Sequence, residues 1–403
     1  MRQRMPKRLL MTSANPFRHQ TYQPERPTSP YHLLPEVSPA DPRSDEFVER
    51  LATVGRAFQR ERVAAIYCVH GTFSGNDALG LLAELARIAP GFSEALRRFG
   101  KQTVDWIARE TGNYTAEYVA SLESGLSADA GSRIPVQRFN WSSQNNHIAR
   151  ADGAVRLIHE LANLASATAT CARKSSTRPR VLLWGHSHGG NVLALVTNLL
   201  AADTEAREHF FVAARSFYRP WLFRDVDLPV WQEVRELLDA TDHPLRDLKL
   251  DVVTFGTPIR YGWNRGGYSR LLHFVHHRPP QGGPEYAAPC PIKVRRMLAA
   301  TDGDYIQQIG ISGSNFPPLP FALRTLLADW RLGKFLEQDL PQERLLSRLR
   351  HARRVPESGT TLLVDYGKWA RRFYHHLAGH ALYTRRKWLP FHCEQIAARF
   401  YQG

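Results

Sequence analysis

The apolar run 181–184, the pentapeptide Gly185-His186-Ser187-His188-Gly189 and a second apolar run, 192–200, follow one another almost without a break. That order predicts a buried strand, a sharp turn and a helix, with a serine at the apex of the turn. The turn strains the backbone so that the Ser187 hydroxyl stands clear of the sheet. Glycines are needed on either side because a Cβ there would meet the neighbouring strand and helix. Ser187 is therefore the candidate nucleophile. The alternative is a serine in an ordinary surface loop.

A serine hydroxyl is a poor nucleophile at neutral pH unless a base takes its proton, and the negative charge that develops on the attacked oxygen needs fixed N–H donors. Residues 63–69 form a continuous apolar run, short enough for a buried parallel strand, that ends in His70-Gly71-Thr72-Phe73. A glycine-containing loop in that place can bring backbone N–H groups beside the serine. Its competing use is a plain strand-to-helix turn in which His70 only caps backbone groups.

Together with Phe139-Asn140-Trp141-Ser142-Ser143, the Arg150 beyond it, and Thr254-Phe255-Gly256-Thr257-Pro258, these segments resemble the serine lipases and esterases of the α/β-hydrolase superfamily. The resemblance runs from about residue 60 to the C-terminus. It implies an eight-stranded, mostly parallel sheet, a Ser-Asp-His order along the chain, and ester hydrolysis. It also implies an oxyanion hole built from the backbone N–H of His188 and that of Thr72 or Gly71. None of the motifs is specific to a substrate.

The wider pattern agrees with an α/β fold. Strand-like runs at 63–69, 136–141, 181–184, 250–255, 271–276 and 361–365 alternate with helical stretches such as the amphipathic 151–165 and the nearly all-apolar 191–202. Residues 46–403 read as one domain with helical insertions at about 74–133, 203–247 and 316–356. The second insertion holds Phe210, Phe211, Phe217, Tyr218, Trp221, Phe223 and Trp231. These aromatics suit either a lid or acyl-binding wall, or extra helices packed on the core. Residues 1–45, with eight prolines and no sustained periodicity, read as an extended or partly disordered arm.

The base must follow Ser187, but the chain has 17 histidines, so position has to decide. His380 lies between the last strand and the terminal helical stretch 384–400, and is the favoured base. His392 falls on the apolar side of that helix among Trp388, Leu389, Cys393 and Ile396, which suits a core histidine. His375 and His376 are lesser rivals. The orienting acid has two main candidates. Asp304, in Thr301-Asp302-Gly303-Asp304-Tyr305-Ile306, resembles the lipase acid followed by a hydrophobic pair; Asp365 ends an apolar strand nearer His380, and Asp302 is a neighbour. For each of these the competing use is a helix cap or turn.

Neither a P-loop nor a dinucleotide fingerprint occurs, and the expectation is a reaction with no cofactor and no metal. His273, His276 and His277 alternate across a strand and cannot all face one ion. Cys68, Cys171, Cys290 and Cys393 are widely spaced and read as reduced thiols. Arg2, Arg4, Lys7 and Arg8 precede only Leu9-Leu10-Met11, which argues against a signal peptide, and the protein is expected in the cytoplasm. The net charge of +15 favours acidic partners. Basic clusters at 344–354 and 385–387, the latter among Trp369, Phe373, Tyr374, Tyr383 and Trp388, suit an anionic membrane surface, or simply a solvated face. No nucleic-acid-binding motif accompanies the charge. The expected activity is hydrolysis of carboxylic esters of lipids or other apolar acyl groups. An acyltransferase or thioesterase would use the same residues, and a catalytically silent binding protein on the same scaffold is the alternative of another class.

Overall fold

Strand β4 (Arg180–His186) is buried along its whole length and lies near the middle of the sheet, as a continuous apolar run requires. The computed structural model describes residues 15–19, 26–72, 112–129, 131–172, 178–219, 228–279, 282–311, 313, 315–337, 348–349, 353–367 and 376–402. Among them, β1 (Tyr31–Leu34), β2 (Val63–Val69), β3 (Val136–Phe139), β4, β5 (Lys249–Phe255), β6 (Arg270–His276) and β7 (Thr360–Val364) form one sheet in the order β1-β7-β6-β5-β4-β2-β3. Every pairing is parallel. The architecture is α/β, with seven strands among the described residues.

The two-residue period of a strand divides β4 between two cores. Val181 and Leu183 join a cluster that includes Val155 and Ile158 of α3 (His147–Ala172) and Leu195 and Leu199 of α4 (His188–Ala201), whereas Leu182 and Trp184 pack on the other face with Phe47 and Leu51 of α1 (Asp45–Arg60) and the C-terminal Cys393, Ile396 and Phe400. Helices thus cover both faces of the sheet. The described part of the first insertion is α2 (Ala116–Ser127), which packs on α1.

The second insertion resolves the choice its aromatics posed. α5 (Thr204–Tyr218) and α6 (Pro229–Asp239) bury Phe210, Phe211, Phe217, Tyr218 and Trp231, with Trp231 stacked 5.0 Å from Tyr218 and donating its indole N–H to Asp152 at 2.8 Å. These side chains are core, not lid; Trp221 and Phe223 lie outside the described residues. After β6 come α7 (Val294–Leu298), α8 (Tyr305–Ile311) and α9 (Leu323–Leu336), the last packed along α5, and the chain closes with α10 (Leu389–Ile396).

The N-terminal arm does more than its composition suggests. Tyr31–Leu34 adds to the sheet edge beside β7, where the Thr361 N–H donates to Pro30 O at 3.0 Å and the Asp365 N–H to Leu34 O at 3.2 Å. Pro30 and Pro35 bracket the strand, and a proline can flank an edge strand because only one side of it needs donors. Phe17, fully buried, packs against Phe210 and Phe335. Of the described members of the basic and aromatic clusters, several are inside the protein, and Arg385, Arg386 and Lys387 are half-buried. Arg348, Arg353, Arg354, Tyr383 and Trp388 are buried, and Arg386 pairs with Glu117 at 3.1 Å. Trp369, Phe373 and Tyr374 lie outside the described residues.

Candidate active site

Ser187 occupies the single residue between β4 and α4, at φ 53° and ψ −131°. A positive φ is costly for a residue with a Cβ, and here the surroundings hold it: the Ser187 N–H donates to Phe255 O at 2.9 Å and its carbonyl accepts from the Gly190 N–H at 3.0 Å. Gly189 is required on steric grounds, because a Cβ there would lie 2.3 Å from Val69 O. The first turn of α4 therefore sits directly against the end of β2.

That approach brings the loop after β2 to the serine. A Cβ on Gly71 would lie 2.7 Å from Ser187 Cβ and 3.3 Å from its Oγ, so only glycine permits the contact. The loop is pinned from the side by Trp141, whose indole N–H donates to His70 O at 2.8 Å and whose ring stacks on His70. Thr72, half-buried, is the last described residue of this segment. The His188 N–H, at the start of α4, is one of the donors that a helix N-terminus leaves without an intrahelical acceptor.

His380 and Asp304 complete the cluster. His380 Nε2 lies 2.8 Å from Ser187 Oγ, and His380 Nδ1 lies 2.8 Å from Asp304 Oδ2. Ser187 and His380 are buried but reachable, at 4% and 6% exposure, while Asp304 is sealed at 0%. The loop carrying His380 docks on the one carrying Asp304: the Tyr305 N–H donates to Ala378 O at 3.0 Å, and a Cβ on Gly379 (φ 87°) would strike Gly303 O at 2.4 Å.

Asp304 also caps a helix, so both of its expected uses are realised in one side chain. Oδ1 accepts the Gln307 N–H at 2.8 Å at the start of α8, leaving Oδ2 for His380. Burial works to raise Asp304; the imidazole of His380, its hydrogen bond, the Gln307 N–H and the Arg354 guanidinium outweigh that and hold it below the usual carboxylate range. The rival acids are engaged elsewhere. Asp365 pairs with Arg278 through both oxygens at 2.9 Å and accepts the Gly367 N–H at 2.8 Å, and Asp302 binds Arg296 and the Tyr305 hydroxyl. His392 is fully buried, bonded to the Tyr366 hydroxyl at 2.8 Å among Trp184, Phe255 and Phe274. His376 is buried, and His375 lies outside the described residues.

Three neighbours make contacts at the site that the sequence did not expose, although His186 lies in the serine pentapeptide and Arg150 beyond the 139–143 segment of the resemblance. Tyr383 donates its hydroxyl to Asp304 Oδ2 at 2.9 Å. His186 lies against His380 with ring centroids 4.8 Å apart and the planes tilted by 40°, and donates Nε2–H to the His380 carbonyl at 3.1 Å; burial lowers it to about 3, so it is neutral. Arg150, fully buried, reaches His188 Nδ1 at 3.4 Å while bonding Tyr261, Asn145 and Asn315. Burial, then Arg150 and Arg260, hold His188 well below the ordinary histidine range. With Asn191 also donating to Nδ1 at 3.2 Å, its proton sits on Nε2.

The clustered histidines, His273 and His276 on β6 and His277 just past its end, each bond a backbone carbonyl. His273 bonds Thr254 Oγ1 and Ser358 O, His276 bonds Val364 O, and His277 bonds Glu285 O. Among the described residues no three His, Cys, Asp or Glu side chains are placed to share a metal ion, and no helix is long and apolar enough to cross a membrane. No protein-family model matches the chain, and no curated protein or solved structure matches it either.

Proposed function

We propose that the protein is a serine hydrolase of the α/β-hydrolase fold that cleaves carboxylic esters of apolar acyl groups by way of an acyl-enzyme. The observation that carries this reading is the unbroken relay from Ser187 Oγ through His380 to Asp304, with both links at 2.8 Å and the serine on a strained strand-to-helix turn. In the reaction Ser187 Oγ attacks the ester carbonyl while His380 Nε2 takes its proton. The His188 N–H and that of Thr72 or Gly71 receive the oxyanion. His380 then returns the proton to the departing alcohol, and water repeats the sequence on the acyl-enzyme. Asp304 keeps the His380 proton on Nδ1 before attack and stabilises the imidazolium afterwards. The preference for apolar acyl groups rests on Ile306 and Ile309, which α8 exposes directly after Asp304.

A fluorophosphonate probe tests the assignment. Covalent labelling of the intact protein, mapped to Ser187 and lost in Ser187→Ala, is the expected result. A folded protein that stays unlabelled, or labels at another serine, would refute it.

A further inference from the structure

Helix α9 turns a row of large apolar side chains outward. Leu323 is 65% exposed, Leu327 39% and Trp330 57%, and these positions, at i, i+4 and i+7, share one face of the helix. Phe321, 66% exposed, precedes them at the end of a proline-containing loop, Pro317-Pro318-Leu319-Pro320. The opposite side of the same helix is core: Ala328, Leu332 and Leu336 are buried. A helix this apolar on both sides has more hydrophobic surface than its own domain covers.

Among the described residues, the exposed charges along the row have one sign. Arg331 and Lys334 are exposed on α9, and Arg215 is exposed on α5 one residue before Ser216, whose hydroxyl bonds the Arg324 carbonyl. Lys334 Nζ lies 3.7 Å from the centroid of the Trp330 ring, so the aromatic and the cation form one unit. The two acids of this stretch turn away: Asp329 is buried and accepts the Ile148 N–H at 3.0 Å, and Glu337 pairs with Arg260. A tryptophan capped by a lysine, beside leucines and a phenylalanine, is the composition that beds a helix into the headgroup boundary of an anionic bilayer.

The row also connects to the reaction centre. The loop that leads into it is tied at its base, where the Phe316 N–H donates to Asn145 O at 2.7 Å and Asn315 Oδ1 accepts from Arg150 Nη2 at 2.9 Å. Arg150 is the residue that reaches His188, next to Ser187.

We infer that the face formed by Phe321, Leu323, Leu327 and Trp330 docks on an anionic lipid bilayer, with Arg331, Lys334 and Arg215 meeting the headgroups. The docking presents membrane-resident esters to Ser187. That purpose rests on the proposed hydrolase activity, but the docking itself is measured without it.

The full chain is to be sedimented with phosphatidylcholine vesicles and with vesicles that also contain phosphatidylglycerol. Binding to the second kind, weakened by salt, is expected. The double variant Phe321→Glu, Trp330→Glu should lose at least about tenfold in vesicle binding. It should hydrolyse a water-soluble acetate ester within about twofold of the parent, because neither residue touches the relay. Three results overturn the inference: no binding to anionic vesicles, binding that the double variant retains, or a dimer in sedimentation velocity that the same variant dissolves while vesicles are ignored. A parent that binds vesicles but hydrolyses no ester would sink the proposed activity and leave the docking face standing.

Discussion

Tyr383 Oη lies 2.9 Å from Asp304 Oδ2, the same oxygen that His380 Nδ1 approaches at 2.8 Å. The tyrosine hydroxyl accepts in turn from the His276 N–H at 2.8 Å, so its one proton is committed to the carboxylate. Two donors sharing one oxygen make that oxygen a weaker base than it would be for His380 alone. His186 against His380, Arg354 near Asp304, and Tyr366 against Tyr383 are further polar neighbours. Tyr383→Phe removes one of the two donors to Oδ2 and should lower kcat/KM by about two- to tenfold. An unchanged kcat/KM would reduce Tyr383 to packing.

Loss of the serine or of the histidine should be equally severe, since the members of the relay act as a unit. Ser187→Ala and His380→Ala are each expected to cut ester hydrolysis by about 10⁴-fold or more while the far-ultraviolet circular dichroism stays as it was. His392→Ala, in contrast, should act mainly on stability. Activity above about a tenth of the parent in Ser187→Ala removes it from the nucleophile's role.

The two candidate aspartates separate in the same assay. Asp304→Asn keeps the shape but offers His380 an amide in place of a carboxylate, and turnover at neutral pH should fall by around 10⁴-fold. Asp365→Asn weakens a partly exposed pair with Arg278 and should cost about 1 kcal/mol of stability or less, with near-parent turnover. A reversed ranking in steady-state kinetics would move the acid to Asp365.

Gly71 offers a steric test of the oxyanion loop. The Cβ of Gly71→Ala would need to occupy space 2.7 Å from Ser187 Cβ, so either the loop or the nucleophile must shift. A displacement of about an ångström in a preorganised site is enough to cost on the order of 10²-fold. The expected signature is a fall in kcat with little change in KM, and unchanged kinetics would show that the loop is free to move aside.

The elements legible in the sequence are those whose physics is local. β2 spans the residues its apolar run marked, and β4 to β7 differ from theirs by no more than two residues at either end, because a buried parallel strand has no polar face to blur its limits. Ser187 was visible because a strand, two glycines and a helix are contiguous. His380 was visible from its place between the last strand and the last helix. What stayed hidden depends on the fold. Tyr31–Leu34 owes its strand character to a partner, β7, more than 300 residues away, and has no core face of its own. Asp304 could be told from Asp365 only once Arg278 was seen to occupy the latter. Tyr383, three residues past His380, has no spacing rule that predicts a bond to Asp304.

The buried histidines set how the fold answers to acid. His392 is lowered by burial to about 3, against about 6.5 in an unfolded chain. At a pH between those values the unfolded state carries a proton that the folded state refuses, so protons favour unfolding. Stability is therefore complete above about pH 6.5, falls as the pH drops, and levels off below about 3. Over two pH units below 6.5 one such histidine contributes a loss of roughly 3 kcal/mol. His186 and His277, lowered to about 3, and His273 and His276, lowered to about 4, act in the same direction. His392→Phe keeps an aromatic ring among Trp184, Phe255 and Phe274 but removes one titrating group. It should lower the absolute stability, because the Tyr366 hydroxyl loses its partner, and flatten the dependence on pH by one proton. Urea unfolding of parent and variant between about pH 7 and pH 5 measures that slope directly. Parallel slopes would mean that His392 takes up its proton in the folded state as readily as in the unfolded one.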